Sequence, residues 1–346
     1  MFNRHGWPLW HWHFEVSSIC TLKCPRCPRT ELPESLVQDQ LRLDFFQDNF
    51  NHKMLSNVRR MTFCGDDGDP IYARDFIPIV RYIKATDPTI SLQIITNGGY
   101  KEESWWHELG ILLNSYDEIH FSIDGSTQAI SENYRINSDH ASSLSGIKAL
   151  RSSSDAVISW DMIAFGFNEH DIDTCREMAR RYGCDRFQLT LSSKFGSKYP
   201  NYLIDGQDRL EPSADLLPKG YRFDRRITDL SGKALLDNGA MAANIAAYEN
   251  VRSSDSSIIP LCKIGTKGMF VNSRGYLIPC CWVGNRYNWN GYSRFIRDDN
   301  NIKTNGLESV LNGDHWLEFF EDFYHMRECS DKCAAALVDQ SYATNW

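Results

Sequence analysis

No stretch of this sequence approaches the roughly 18 consecutive apolar residues that a membrane helix needs. No membrane partner is expected. Met1–Trp12 is rich in Trp and His but has no apolar signal core, so the expected location is the cytoplasm. There is no excess of positive charge either. Lys and Arg number 37 against 45 Asp and Glu, a net charge of −8. That balance counts against a chain built to grip phosphate backbones, so nucleic acid is not the expected partner. Internal repeats and low-complexity tracts are also missing, which excludes solenoid and disordered architectures. At 346 residues, with 42% hydrophobic and 24% charged side chains, the chain has material for about two packed domains, or for one barrel with an addition.

The eleven cysteines are an odd number, so complete internal pairing is impossible. Cys20, Cys24 and Cys27 sit together near the start. Cys262, Cys280, Cys281, Cys329 and Cys333 fall in the last quarter. Disulfides are rare in the cytosol, so clustered cysteines there point to metal or redox chemistry. Cys175 and Cys184 read as small buried residues. Cys64 is less plain, because it lies beside a Gly-rich stretch.

Most of the chain alternates between strand and helix patterns. Strands are expected at His13–Val16, Val58–Phe63, Ser91–Thr96, Glu118–Ile123, Val157–Ala164 and Arg186–Thr190. Helices are expected between them, as at Ile77–Ala85 and Asp171–Tyr182. Such alternation implies a parallel sheet with right-handed crossovers. Polar and Gly-containing segments gather where each strand ends, the face on which active sites form. Ser192–Asp215 reads as loop, Lys233–Glu249 as an Ala-rich helix and Ser253–Ser257 as a connector. A hairpin is expected over Gly268–Ile278 and one helix over Leu307–Met326. The bland reading of the N-terminal aromatics is a plug for the open end of a barrel.

Cys20-Thr21-Leu22-Lys23-Cys24-Pro25-Arg26-Cys27 is C-x3-C-x2-C, on a loop after the first strand. Three thiolates at this spacing can wrap one face of a cubane cluster and leave one iron open for a ligand. Zinc is the alternative. It prefers four ligands, and His11 or His13 could supply the fourth. The motif resembles the signature of the radical S-adenosylmethionine (SAM) superfamily. The resemblance implies an α/β fold, a partial (β/α)6 TIM-like barrel, with a SAM-binding 4Fe–4S cluster on Cys20, Cys24 and Cys27. It also implies reductive cleavage of SAM to methionine and a 5′-deoxyadenosyl radical, with electrons from a donor such as flavodoxin or ferredoxin.

Further segments match in order. Gly68-Asp69-Pro70 is similar to the family's Gly-Gly-Glu-Pro loop, where backbone groups and the Asp69 carboxylate would receive the SAM ammonium. Asn97 falls on the third-strand motif, Ser122 and Asp124 on the fourth, Arg135 where relatives pair an Arg with the SAM carboxylate, and Asn168 on the fifth-strand segment. Thr21 and Arg26 stand where related enzymes often carry Asn and an aromatic residue. The tail, with P-L-C and then G-Y-L-I-P-C-C, resembles the SPASM/twitch extension. The resemblance implies one auxiliary 4Fe–4S cluster on Cys262, Cys280, Cys329 and Cys333, with Cys281 spare; structural zinc on the same four residues is the alternative.

The expected organisation is an N-terminal aromatic segment (1–12), a radical SAM barrel (13–215), a helical connector (216–256) and a small cysteine-rich twitch/SPASM-like domain (257–346). The expected activity is hydrogen abstraction leading to oxidation of a small molecule or modification of a peptide. Glu15, Asp161 and Gln188 are the candidates for the substrate pocket, with Glu15 and Asp161 as possible proton acceptors; simple hydrogen bonding inside the barrel is their alternative role. A zinc-stabilised binding protein, or a radical enzyme acting on RNA, would be the other functions.

Overall fold

The computed structural model describes residues 3–192, parts of 203–223, and 260–333 apart from 266 and 267. Six parallel strands form the body of one sheet: β1 (His11–Phe14), β2 (Arg60–Phe63), β3 (Ser91–Thr96), β4 (Glu118–Ser122), β5 (Val157–Ala164) and β6 (Arg186–Leu191). A short pair, β7 (Leu203–Ile204) and β8 (Gln207–Asp208), stands apart from it. β9 (Lys219–Arg222) adds antiparallel to β6. On the other edge β10 (Met269–Val271) lies parallel to β1, and β11 (Leu277–Ile278) returns antiparallel to β10. The expected hairpin is therefore present, and it extends the sheet.

Strand side chains alternate between two faces. One face is apolar. Met61 and Leu92, Phe63 and Ile94, and Phe121 and Trp160 are register partners, all fully buried. The helices Phe76–Thr86, Glu103–Leu112, His140–Ser153 and Ile172–Tyr182 lie between successive strands, and their apolar residues complete this core. The last of them ends at Gly183, whose φ of +89° closes it as a left-handed cap. The other face is polar. It carries Thr62, Gln93, Glu118, His120, Ser159 and Asp161, joined by hydrogen bonds within and across the strands.

Three sequence expectations need correction. The first strand begins two residues earlier than expected and ends at Phe14. The expected helix over Leu307–Met326 is broken into Leu307–Leu311, His315–Asp322 and a tight turn at Phe323–His325. Asn312-Gly313-Asp314, all turn formers, interrupt it. The N-terminal aromatics do not plug the barrel. Trp7 packs edge-on against Trp316 at 4.9 Å and also against Phe320, while the Trp10 indole donates to the Gly265 carbonyl. They fasten the N-terminal segment to the C-terminal region. The expected helix Lys233–Glu249, its connector and most of the 192–215 loop lie outside the described residues. Among the described residues, no helix is long and apolar enough to cross a membrane.

Candidate active site

The chain leaves β1 into the cysteine loop. Cys20, Cys24 and Cys27 line one wall of a cavity of about 200 Å³ at the strand ends, with Gly68, Asn97, Ser122 and Arg135 on the others. Burial pushes the Cys20 thiol up to about 12, with Asp69 and Cys27 adding to it. Burial likewise raises Cys24. Cys27 and Cys20 raise it further, while Arg135 works the other way. The three thiols thus sense one another. Cys64 lines the same cavity, but its charged neighbours are Asp66, Cys281, Asp69 and Glu15. The donor set fits a three-thiolate cluster site with an open fourth position. A bound cationic centre would reverse these shifts, because a ligating thiol is deprotonated.

The Gly-rich loop after β2 passes hard against the cysteine loop. A Cβ on Gly68 would lie 1.9 Å from the Ser17 carbonyl oxygen, so only glycine fits there. Pro70 opens the buried turn Pro70–Tyr72. Asp69 lines the cavity, and its carboxylate is already engaged by the chain. Oδ1 accepts from Thr96 Oγ1 (2.8 Å) and the Ile71 amide (3.2 Å). Oδ2 accepts from the amide of Asn97 (2.6 Å) and its Nδ2 (2.8 Å). Burial lifts its pKa to about 6 against these bonds. Four bonds leave it as a latch between the loop and β3. Asn97 also offers Nδ2 to Cys20 Sγ and accepts from the Tyr72 hydroxyl.

Asp124 is fully buried and pairs with Arg135 at 2.7 Å, so a fixed guanidinium faces the cavity. Asn168 is fully buried too. Its Nδ2 donates to the carbonyls of Asp124 and Ile163, and its Oδ1 accepts from the Phe165 amide. It ties the ends of β4 and β5 together from behind the residues that line the cavity. Glu15 takes the alternative role given above, hydrogen bonding within the fold. Its Oε1 accepts from the Asp67 amide at 2.6 Å, which holds up the Gly-rich loop. Burial, then the charge of Asp67, raises its pKa well above the carboxylate range. Gln188 donates to the Leu189 carbonyl, and its Oε1 faces Gly220 of β9.

Asp161 lies level with Ser122 across β4 and β5, next to the cavity wall. Its Oδ2 contacts His120 Nδ1 at 2.8 Å, and His120 Nε2 contacts Glu118 at 3.1 Å. Arg186 binds Glu118 at 2.9 Å, and Arg60 stands 3.9 Å from it. Sequence reading missed His120, although an i, i+2 Glu-x-His pair on a strand puts both on one face. Burial alone would lower the His120 pKa. Asp161 and Glu118 outweigh it and push it up to about 9. The unfolded value is near 6.5. A raised histidine contributes stability in full below about pH 6.5 and loses it as pH rises through about 9. Urea unfolding at pH 6, 7.5 and 9.5 should therefore show wild-type stability falling across this window. Asp161→Asn should fall less, because the imidazolium has lost its partner. Parallel losses would rule out His120 as the titrating group.

In the C-terminal region Cys262, Cys280, Cys329 and Cys333 are all buried. Burial raises the Cys262 thiol well above its ordinary value, and Cys280, Cys333 and Cys329 raise it further. Burial, Cys280 and Cys333 do the same to Cys329. The structure brings together the four residues expected to share a site. Cys281 instead neighbours Cys64. Among the described residues no three His, Cys, Asp or Glu side chains are set to hold a single ion.

Comparison with known proteins now places the chain. Residues 262–334 match the SPASM family, an iron–sulfur cluster-binding domain. Among solved structures, SuiB of Streptococcus suis with bound S-adenosylmethionine superposes with a TM-score of 0.55 at 14% identity, over 89% of this chain and 66% of that one. The chain shares the fold of this S-adenosylmethionine-bound structure, and its residues 262–334 carry the SPASM match. An anSMEcpe structure with bound AdoMet gives a TM-score of 0.52 at 14% identity, over 90% of this chain and 79% of the other. SuiB has also been solved with its precursor peptide SuiA, and anSMEcpe with a Cp18Cys peptide. A curated relative, the GTP 3′,8-cyclase of Pasteurella multocida (strain Pm70), is 29% identical over 118 residues, 32% of this chain. The chain matches 31% of that relative's length and about two thirds of SuiB's. In this fold the cysteine cavity lies at the carboxyl ends of the strands, where parallel sheets place their ligands.

Proposed function

We propose that the protein is a radical SAM enzyme that abstracts a hydrogen atom from a peptide or small-molecule substrate, leading to its oxidation or modification. The observation that carries this is the single cavity shared by Cys20, Cys24, Cys27, the Gly68 loop, Asn97, Ser122 and Arg135. When bound, a reduced 4Fe–4S cluster and S-adenosylmethionine supply a 5′-deoxyadenosyl radical, with a low-potential donor such as flavodoxin or ferredoxin giving the electron.

The chain's own residues bind and orient. Cys20, Cys24 and Cys27 would hold three irons and leave the fourth open. Because Asp69 is saturated, the backbone carbonyls of the Gly-rich loop are left to receive the SAM ammonium. Arg135, fixed by Asp124, would pair with the SAM carboxylate. Asp161, level with Ser122, would stay ionised there, because its pairing with His120 outweighs burial and lowers its pKa; it would accept a hydrogen bond from substrate rather than a proton. Cys262, Cys280, Cys329 and Cys333 would hold the auxiliary cluster. The peptide-bound relatives favour a peptide over a small molecule.

Anaerobic reconstitution with iron and sulfide, then SAM and dithionite, tests the reading. Brown protein that forms 5′-deoxyadenosine is the expected result. A colourless, zinc-loaded protein that forms none would overturn it and leave the cysteines structural.

A further inference from the structure

The segment directly after Cys280 reaches back into the N-terminal site. Cys280 caps the short helix Cys281–Gly284, and Asn285-Arg286-Tyr287 follow at once. Arg286 is almost wholly buried; its side chain is 2% exposed. Its Nε lies 2.8 and 2.9 Å from the two carboxylate oxygens of Asp67, and Nη2 lies 2.6 Å from Oδ1. Its Nη1 donates to the Leu32 carbonyl at 2.7 Å and to Ser35. On either side of it, Asn285 Nδ2 donates to Asp66 Oδ1 at 3.1 Å and Tyr287 donates to Glu31.

All these acceptors belong to the candidate SAM site or its frame. Asp66 and Asp67 line the cavity beside the three cysteines. The Asp66 carbonyl contacts Cys27 Sγ, and the Asp67 carbonyl accepts from Arg29. Glu31, Leu32 and Ser35 follow Cys27 along the chain. The guanidinium fork thus spans both loops of the site with charge-assisted, largely buried bonds, the setting in which Arg fixes geometry that Lys cannot.

We propose that Arg286 is a positioning residue that sets the Gly65–Pro70 loop for S-adenosylmethionine, so that the C-terminal cysteine site, six residues away at Cys280, tightens cofactor binding at the N-terminal one. This rests on the radical SAM reading above. Arg286 touches no reacting atom. It acts through Asp67, whose amide is held from the other side by Glu15.

The test uses the full chain, reconstituted anaerobically. Arg286→Lys keeps the charge and loses the fork; Asp67→Asn removes the partner. Each should bind SAM about 10-fold more weakly, the size of effect seen when a supporting partner of a metal site is lost. Iron content should stay at the wild-type level. The double variant should be no weaker than either single one, since both remove one contact. Cys333→Ser, which opens the C-terminal site without touching Arg286, should weaken SAM binding in the same direction. A second readout needs no cofactor: hydrogen exchange of the 65–69 amides should speed up in metal-free Arg286→Lys. Wild-type SAM affinity with unchanged exchange in Arg286→Lys would overturn the inference alone. A wild-type protein that takes up iron yet binds no SAM would overturn the radical SAM reading with it.

Discussion

Cys24→Ala is expected to abolish 5′-deoxyadenosine formation, a fall of more than ~100-fold, while the protein stays folded. Loss of a partner that merely supports a metal ligand costs 10–100-fold, so loss of a ligand itself costs at least that. Cys24 sits between Cys20 and Cys27 and beside Arg135, so its thiolate faces both the cluster site and the guanidinium. Two thiolates cannot hold one face of a cubane, and iron at that site should drop with activity. Iron at the C-terminal site should remain, because none of its four cysteines lies on the loop that carries Cys24. The measurement is iron per chain together with product per chain. A variant that keeps its product would remove Cys24 from the cluster, and Cys64 would then be the thiol to test next.

Glu118→Ala should be the most destabilising single change in the barrel lumen. Glu118 is the anion that answers Arg60, Arg186 and His120 at once, and all lie on the inner face. Burial opposes its charge, yet these cations hold its pKa well below the carboxylate range. Its removal would leave buried positive charge uncompensated, which costs about 3–5 kcal/mol. In thermal unfolding followed by circular dichroism that corresponds, for 346 residues, to a drop of about 4–7 °C. Glu118→Gln keeps the shape and one acceptor and should lose less. Equal, small losses for both variants would show that the cations are neutralised elsewhere.

Much of this was legible in the sequence, for a definite reason. The strands from Ser91 to Thr96 and from Val157 to Ala164 match to the residue, because a parallel strand with one apolar face writes its period directly. The C-x3-C-x2-C loop and the four C-terminal cysteines were equally plain, since few other arrangements use such spacings. What the sequence hid was orientation. Asp69 and Asn168 stand at the right places, but only their hydrogen bonds reveal that they lock strand ends together. Glu15 left two roles open in the sequence, and only its bond to the Asp67 amide shows which loop it holds. Arg286 carried no local signal beyond being a cation in an aromatic stretch, because its partner Asp67 is distant in sequence. The break at Asn312-Gly313-Asp314 was visible in composition, and the apolar pattern on both sides masked it.

The pairing of β1 with β10 bears on how the chain comes to be made. Trp12 and Met269 are register partners, 257 positions apart. While the ribosome works through the intervening residues, β1 has β2 on one side and an unsatisfied ladder on the other, on the very strand that leads into the cysteine loop. Such an open edge invites pairing with another chain. Closing a contact this remote is slow. The β1 edge is therefore covered only once β10 has been made, and the interval before that moment is when nascent copies are most exposed to aggregation.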